Sequence, residues 1–432
     1  MIAAAGPALE PAEAARRAAG APGAFWLCSP GADESGVGRD VVGAEPVRVV
    51  RGESALALER AWAEERSRWG LLDGASPPGV PIAAGWLSYD LGRPWLGLPP
   101  RAPDAAVAPF APLEFHFHDA VWVRPAGGAA TIFARDAQAA QRLRARLETE
   151  VAGAPGAAPG ALAPDHDAAV YLAGARRVLD YLAAGDAYQV NLARRVSTPF
   201  AGAAVELAAA LRERAPAPFG AFIASADGDA ALVGNSPERF LALDGRGAVE
   251  TRPIKGTRAR AGGAAEDEAA RAALVGSPKD RAEHVMIVDL ERNDLGRVCE
   301  TGSVTVDGVA RVLSLPTVHH LVSTVRGRLR ADVGLATLLE ATFPGGSITG
   351  APKRRAMQII DELEPVARGP YTGATGWLGA AGDLDLAVAI RTALVSGGRL
   401  WLSVGGGIVA DSTPEEEHAE TEVKAAAFAR LV

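Results

Sequence analysis

With 432 residues, 48% of them apolar and 22% charged, and a net charge of −8, the chain can bury a large core but presents no basic field for a polyanion. Nucleic acid is therefore excluded as the main partner. Two cysteines, Cys28 and Cys299, are too few and too far apart for a disulfide framework or a zinc site, and read as free buried thiols.

The N-terminal stretch Met1 to Pro22 is alanine-rich with acidic residues mixed in, and lacks the basic start and continuous apolar run of a signal peptide. No stretch approaches the ~20 apolar residues that cross a bilayer. The expectation is a soluble, cytoplasmic protein with no membrane partner. Strand-like runs at Pro81 to Tyr89 and Ala120 to Val123 precede a polar helix near Asp136 to Val151. The Ala/Gly/Pro-rich stretch 151–164 reads as a linker or long loop, dividing an N-terminal region, 1–150, from a region 165–432 with sharper signals. There Tyr171 to Ala184 and Ala204 to Arg214 read as helices and Tyr188 to Val196 as a strand.

Ser236-Pro237-Glu238-Arg239-Phe240 and Thr251-Arg252-Pro253-Ile254-Lys255-Gly256-Thr257 flank a polar turn at Asp244 to Gly247, which predicts a hairpin within strand runs Ala231–Leu243 and Val249–Ile254. Pro253 and Gly256 fix the backbone around Lys255 and leave little bulk beside it. A carboxyl group and an amine on one cavity wall suit proton donation and nucleophilic attack, respectively. The alternative is a solvated surface hairpin.

Asp280 to Leu290 reads as a helix ending near Gly296, with Asp280 and Glu283 on one face. His284, without a second histidine at ligand spacing, reads as structural. His319 and His320 open a strand-like run, and His320 reads as a polar site residue. Phe343 to Pro352 is a glycine-rich loop leading into a helix, Lys353 to Leu363, with Pro352 expected at its first position. A helix start favours anions, but the loop lacks the Walker Gly-Lys-Ser/Thr ending.

Strands are expected at Leu384 to Leu394 and Arg399 to Val404. Arg391 would interrupt the first with a buried guanidinium, which needs an internal acid or a bound carboxylate or phosphate. Gly405, Gly406 and Gly407 close the next strand, where backbone N–H groups can approach a ligand. On the last helix, capped by Thr413 and Glu416, residues Glu417, Glu420 and Lys424 share one face. They are either a solvated face or a cation site with an anion-binding lysine beside it. Oxygen-only ligands from Glu417, Glu420, Asp280 and Glu283 favour Mg²⁺ over zinc.

Taken in order, these segments, with Tyr188-Gln189-Val190-Asn191-Leu192 and His319-His320-Leu321-Val322-Ser323, resemble the chorismate-utilising enzymes over Asp165 to Val432. The N-terminal third is similar more loosely, through Gly85 to Gly92. The branch most resembled is component I of aminodeoxychorismate synthase: Lys255 stands where anthranilate synthases usually have alanine, and Gln189 where isochorismate synthases place a water-activating lysine.

The resemblance implies an α/β (α+β) fold of two large antiparallel sheets packed together with helices outside. It also implies amination of chorismate at C4 toward 4-aminobenzoate and folate, with ammonia from a glutamine amidotransferase subunit. Mg²⁺ would be held by Glu283 and Glu420 with help from Asp280 and Glu417. Arg391, Tyr371, Lys424, Thr349, Gln189 and the amides of Gly405 to Gly407 would bind substrate. Glu238 would act as acid and Lys255 as nucleophile, with His320 beside them. Anthranilate synthase component I and a non-catalytic, effector-binding subunit of the same fold are the competing expectations.

Overall fold

The computed structural model describes residues 1–29, 38–70, 79–151, 159–260, 262–315 and 318–431. Two antiparallel sheets, one of twelve strands and one of ten, form its frame. The larger runs from the N-terminal strands Ile2–Ala5, Thr131–Ala134, Ala120–Pro125, Arg39–Gly43 and Phe25–Ser29 to Phe219–Ala224, Ala230–Ser236, Thr392–Ser396, Arg399–Ile408 and Gln189–Pro199. The smaller joins Arg48–Gly52, Leu113–Phe117 and Pro81–Leu87 to Ala374–Gly379, Asp383–Val388, Arg239–Asp244, Ala248–Arg252 and Val318–Arg328. Both sheets thus draw strands from either side of the stretch 151–164. Residues 152–158 of that stretch lie outside the described residues, while Ala163–Pro164 adds a short strand onto Gln189–Pro199.

Apolar faces of the two sheets meet through Phe25, Ile82, Trp86, Phe115, Phe240, Leu241, Phe343, Leu386 and Leu394. A second apolar layer lies under helices Pro11–Ala19, Ala137–Glu148, Ala204–Arg214 and Pro414–Leu431, where Ala14, Leu143, Leu207 and Phe428 pack on Trp26, Val233 and Leu402. Strand Arg399–Ile408 alternates half-exposed and buried residues, the period of two that a sheet imposes. Among the described residues no helix is long and apolar enough to cross a membrane.

Two expected strands prove to be pairs. The run 231–243 breaks at Pro237 and Glu238, leaving the larger sheet at Ser236 and entering the smaller at Arg239. Proline supplies no N–H to either ladder, so the crossing falls there. The run 384–394 breaks at 389–391 and crosses back, with Arg391 in the left-handed region at φ 51°. Arg391 therefore stands in a corner between sheets and not inside a strand.

The two crossings are bonded side by side, Asn235 N donating to Arg391 O (3.0 Å) and Val388 N to Glu238 O (3.0 Å). A further difference concerns Pro352, which stands at the cap before helix Lys353–Leu363 and not at its first turn.

Candidate active site

Glu238 and Lys255 meet at the open end of the predicted hairpin. Arg239 pairs with Arg252, so the next residues outward, Glu238 and Pro253, face each other beyond the ladder. Ile254–Ala259 then continues along Val318–Arg328, whose far end carries Ala248–Arg252. Ile254 N reaches Glu238 Oε1 (3.4 Å), and Lys255 Nζ donates to the carbonyl of Ser347 (3.0 Å). The Ser347 hydroxyl also hydrogen-bonds Glu238.

Burial raises the Glu238 carboxyl above its ordinary range, against the opposing pull of Ser347 and Lys255. Burial likewise lowers the Lys255 amine, although Glu238 and Glu283 favour its charge. Lys255 keeps some accessible surface, but protein encloses its amine, so that surface belongs to the cleft. The same holds for Arg391: its guanidinium makes no hydrogen bond among the described residues, and desolvation lowers its pKa while Glu238 opposes this.

Orphaned polar atoms ring this pair. Gln189 is fully buried with neither amide atom bonded, and Asn191 Oδ1 lacks a partner while its Nδ2 reaches Ser347 O (3.4 Å). His320 spends Nδ1 on Thr257 Oγ1 (2.8 Å) and leaves Nε2 unpaired; burial and Arg391 push its pKa down to about 4, so it is neutral at pH 7. His284, read as structural, bonds Ser323 Oγ (2.6 Å). His319 is occupied by Ser314 and Asp267.

Other expected residues are placed differently. The buried Thr349 hydroxyl donates to Gly345 O (2.9 Å), so it braces its own loop and has no proton left for a substrate. Lys424 lies on the surface, bonded to Gly405 O (2.6 Å) and paired with Glu420 (2.7 Å). Tyr371 is buried under Arg368, which stacks over it at 5.9 Å, and burial raises its pKa.

The glycine run alternates. A Cβ at Gly406 would meet Glu417 Oε2 at 2.9 Å, whereas one at Gly407 would meet the Gln189 amide at 2.9 Å. At Gly405 it would strike the Leu192 carbonyl at 2.6 Å, so close strand approach demands glycine there.

The expected four-acid metal set is only partly assembled. Asp280 is engaged by Arg258 (2.7 Å). Glu417 gives one oxygen to Ser412 (2.6 Å). Among the described residues no three His, Cys, Asp or Glu form a ready-made cage. Glu283 and Glu417 nonetheless both have raised pKa values, chiefly through burial, with neighbouring carboxylates adding to it: Asp280 and then Glu417 on Glu283, and Glu420 on Glu417. A hard cation relieves such repulsion. Mg²⁺ is commonly held by only one or two carboxylates, with water and substrate completing its shell. These residues fit it.

Several participants escaped the sequence reading. Ser347 sat unremarked in the glycine loop, although it touches both Lys255 and Glu238. Asn191 could have been found from its place two residues after Gln189, on the same strand face. A cleft of about 570 Å³ lies beyond Leu192, with Tyr171, Arg368 and Tyr371 in its wall; neither Glu238 nor Lys255 lines it.

The chain is 43% identical to aminodeoxychorismate synthase component 1 of Klebsiella aerogenes over 345 residues, 78% of this chain and 74% of that protein. It is 46% identical to anthranilate synthase component 1 of Streptomyces coelicolor over 256 residues, 59% of this chain and 50% of that one. The crystal structure of anthranilate synthase component I from Streptococcus pneumoniae superposes with a TM-score of 0.79 at 29% identity, covering 91% of this chain and 92% of that one. Residues 24–430 match the family described as chorismate binding enzyme, and the chain belongs to that family.

Proposed function

We propose that this chain aminates chorismate at C4 to give 4-amino-4-deoxychorismate, the role of component I of aminodeoxychorismate synthase. One observation carries the reading: a buried amine with lowered pKa and a buried carboxyl with raised pKa share Ser347. Lysine at this position is what separates this activity from anthranilate formation. The similarity to the Klebsiella aerogenes protein supports the same reading.

Arg391, with no hydrogen-bond partner among the described residues, binds a substrate carboxylate through its planar fork, and Tyr371 and the amides around Gly406 complete that end. Glu238, protonated, gives its proton to the C4 hydroxyl, which departs as water. Neutral Lys255 forms a bond to C2 as that hydroxyl leaves. Ammonia then bonds to C4, the C2–N bond breaks, and the ring recovers its double bonds. The proton shed by the incoming ammonia returns to the Glu238–Lys255 pair.

Glu283, Glu417 and Glu420 would hold Mg²⁺, which supplies Lewis-acid polarisation and a template for the ring carboxylate. Neutral His320 presents Nε2 beside Arg391 without competing for the substrate's charge. Proton donation of the Glu238 kind contributes about 10²–10⁴-fold.

Burial pushes the Cys28 and Cys299 thiols up to about 12 and about 11, which leaves neither suited to glutamine hydrolysis. On this reading ammonia comes from a glutamine amidotransferase subunit, in the cytoplasm, on the route to 4-aminobenzoate and folate. The similarity to the Streptomyces coelicolor protein favours anthranilate synthase component I as the second reading.

Purified protein with chorismate, Mg²⁺ and an ammonium salt is expected to yield aminodeoxychorismate, detected as 4-aminobenzoate once a lyase is added. Anthranilate fluorescence without any lyase would overturn the assignment. Tight chorismate binding without turnover would make the chain an effector-binding subunit.

A further inference from the structure

Helix Pro278–Gly296 buries Glu291 and Asp294 in line with Ile287, Val288 and Leu295. Two acids in an apolar stripe are costly unless each has a task. Asp294 pairs with Lys353 Nζ (2.6 Å), and the same ammonium donates to Thr342 O (2.8 Å), tying down the start of the glycine-rich loop. Glu291 makes no ion pair among the described residues. Its hydrogen bond among the described residues is from Gly346 N to Oε1, at 2.9 Å.

We propose that Glu291 is a positioning residue: by accepting the Gly346 N–H it sets the loop so that Ser347, the next residue, holds Lys255 and Glu238 in their working positions. The inference rests on the amination reading, since it assigns those two groups their roles.

The geometry leaves the loop little freedom at this point. A Cβ at residue 346 would come within 2.4 Å of Leu290 Cδ2 and 3.1 Å of Glu291 Oε1, so a side chain there would push Leu290 aside and crowd the carboxyl group. The Ser347 carbonyl, one peptide farther on, accepts from both Lys255 Nζ and Asn191 Nδ2. Arg368 holds Ile348 O on the other side (3.0 Å). Releasing Gly346 would therefore let Ser347 shift against Lys255 while the remaining ties kept the loop folded. Burial and Asp294 push the Glu291 carboxyl up to about 8, so it is largely neutral at pH 7. A neutral carboxyl still accepts through its carbonyl oxygen, and a glutamine in its place does the same.

The test compares Glu291→Ala, Glu291→Gln and Gly346→Ala in the full chain. A displacement of about 1 Å at a reacting group can cost on the order of 100-fold. Glu291→Ala is accordingly expected to lower kcat by about 30- to 100-fold with the chorismate KM changed less than about threefold. Glu291→Gln is expected to stay within about threefold of the parent, because the acceptor is restored.

A second readout needs no turnover: the pH dependence of Lys255 acylation, followed by mass spectrometry of its peptide. Its midpoint is expected to move in Glu291→Ala and not in Glu291→Gln. The proposal is overturned if Glu291→Ala keeps its kcat, if the glutamine variant falls as far as the alanine one, if the loss lies in KM, or if the Lys255 midpoint does not move. Should Glu291→Ala fail to fold, Gly346→Ala decides: loss of kcat with Glu291→Gln active supports the clamp, and retained kcat overturns it. If the parent protein does not aminate chorismate, the functional reading fails on its own, and the Lys255 midpoints still decide whether Glu291 positions that amine.

Discussion

Arg368 and Arg391 are two arginines whose surroundings could hardly differ more: Arg368 is buried, whereas Arg391 keeps an exposed surface although protein crowds its guanidinium. Arg368 meets Glu364 through two bonds (2.9 and 2.6 Å) and donates further to the carbonyls of Ile348 and Asn191 and to the Thr372 hydroxyl. Arg391 has no such bond among the described residues, and of the acids only Glu238 acts on its charge. A buried ion saturated by the protein is structural. One left without a hydrogen bond near His320, whose Nε2 is also unpaired, is arranged for something that is not protein. The contrast teaches that burial alone does not mark a functional charge; a desolvated charge facing a cleft without a protein partner does.

The largest effect expected is at the reacting pair. Lys255→Ala should lower aminodeoxychorismate formation by at least about 100-fold, and Glu238→Gln by about 10²–10⁴-fold, in steady-state assays. The proposed mechanism needs Lys255 neutral and Glu238 protonated. The rate should therefore rise with pH as the amine loses its proton and fall as the carboxyl loses its own, giving a bell whose two limbs belong to the coupled pair. Glu238→Gln should erase the alkaline limb. A bell unchanged in that variant would remove Glu238 as the acid.

The two arginines should then separate cleanly. Arg368→Ala leaves Glu364 buried and unpaired, a loss of about 3–5 kcal/mol visible as a lower melting temperature. Arg391→Ala should leave melting nearly untouched and reduce kcat/KM by about 10- to 100-fold, as expected for a charge-assisted bond to a substrate carboxylate. The comparison breaks if both variants lose stability and neither loses chorismate. The smallest effect is expected at the half-exposed Glu420. Glu420→Gln should raise the Mg²⁺ concentration giving half-maximal rate by about tenfold, read by metal titration, since one ligand of about 1.4 kcal/mol is lost.

Much of this is carried by short stretches of sequence. The hairpin around Asp244 to Gly247 and the final helix with its Thr413 and Glu416 cap follow from local turn and capping chemistry, and both formed where expected. Glu238 and Lys255 were legible because Pro237, Pro253 and Gly256 stiffen the backbone around them. The partner of Asp280 was not legible: its spacing from Glu283 on a helix face says nothing about Arg258, which arrives from a strand and pairs with its carboxylate. The hydrogen bond of Thr349 was hidden for a related reason, since the carbonyl that accepts its proton is presented by a loop whose path no local pattern encodes.

The amino-acid order by itself determined the elements, the amine and the acid, because propensity, turn chemistry and side-chain type act over a few residues. Only the tertiary structure decided which charges would be saturated. That choice depends on two crossings between sheets, at Pro237–Glu238 and at 389–391, which bring Glu238 and Arg391 side by side from positions more than 150 residues apart. Desolvation and pairing are properties of that assembled neighbourhood, and no stretch of chain carries them alone.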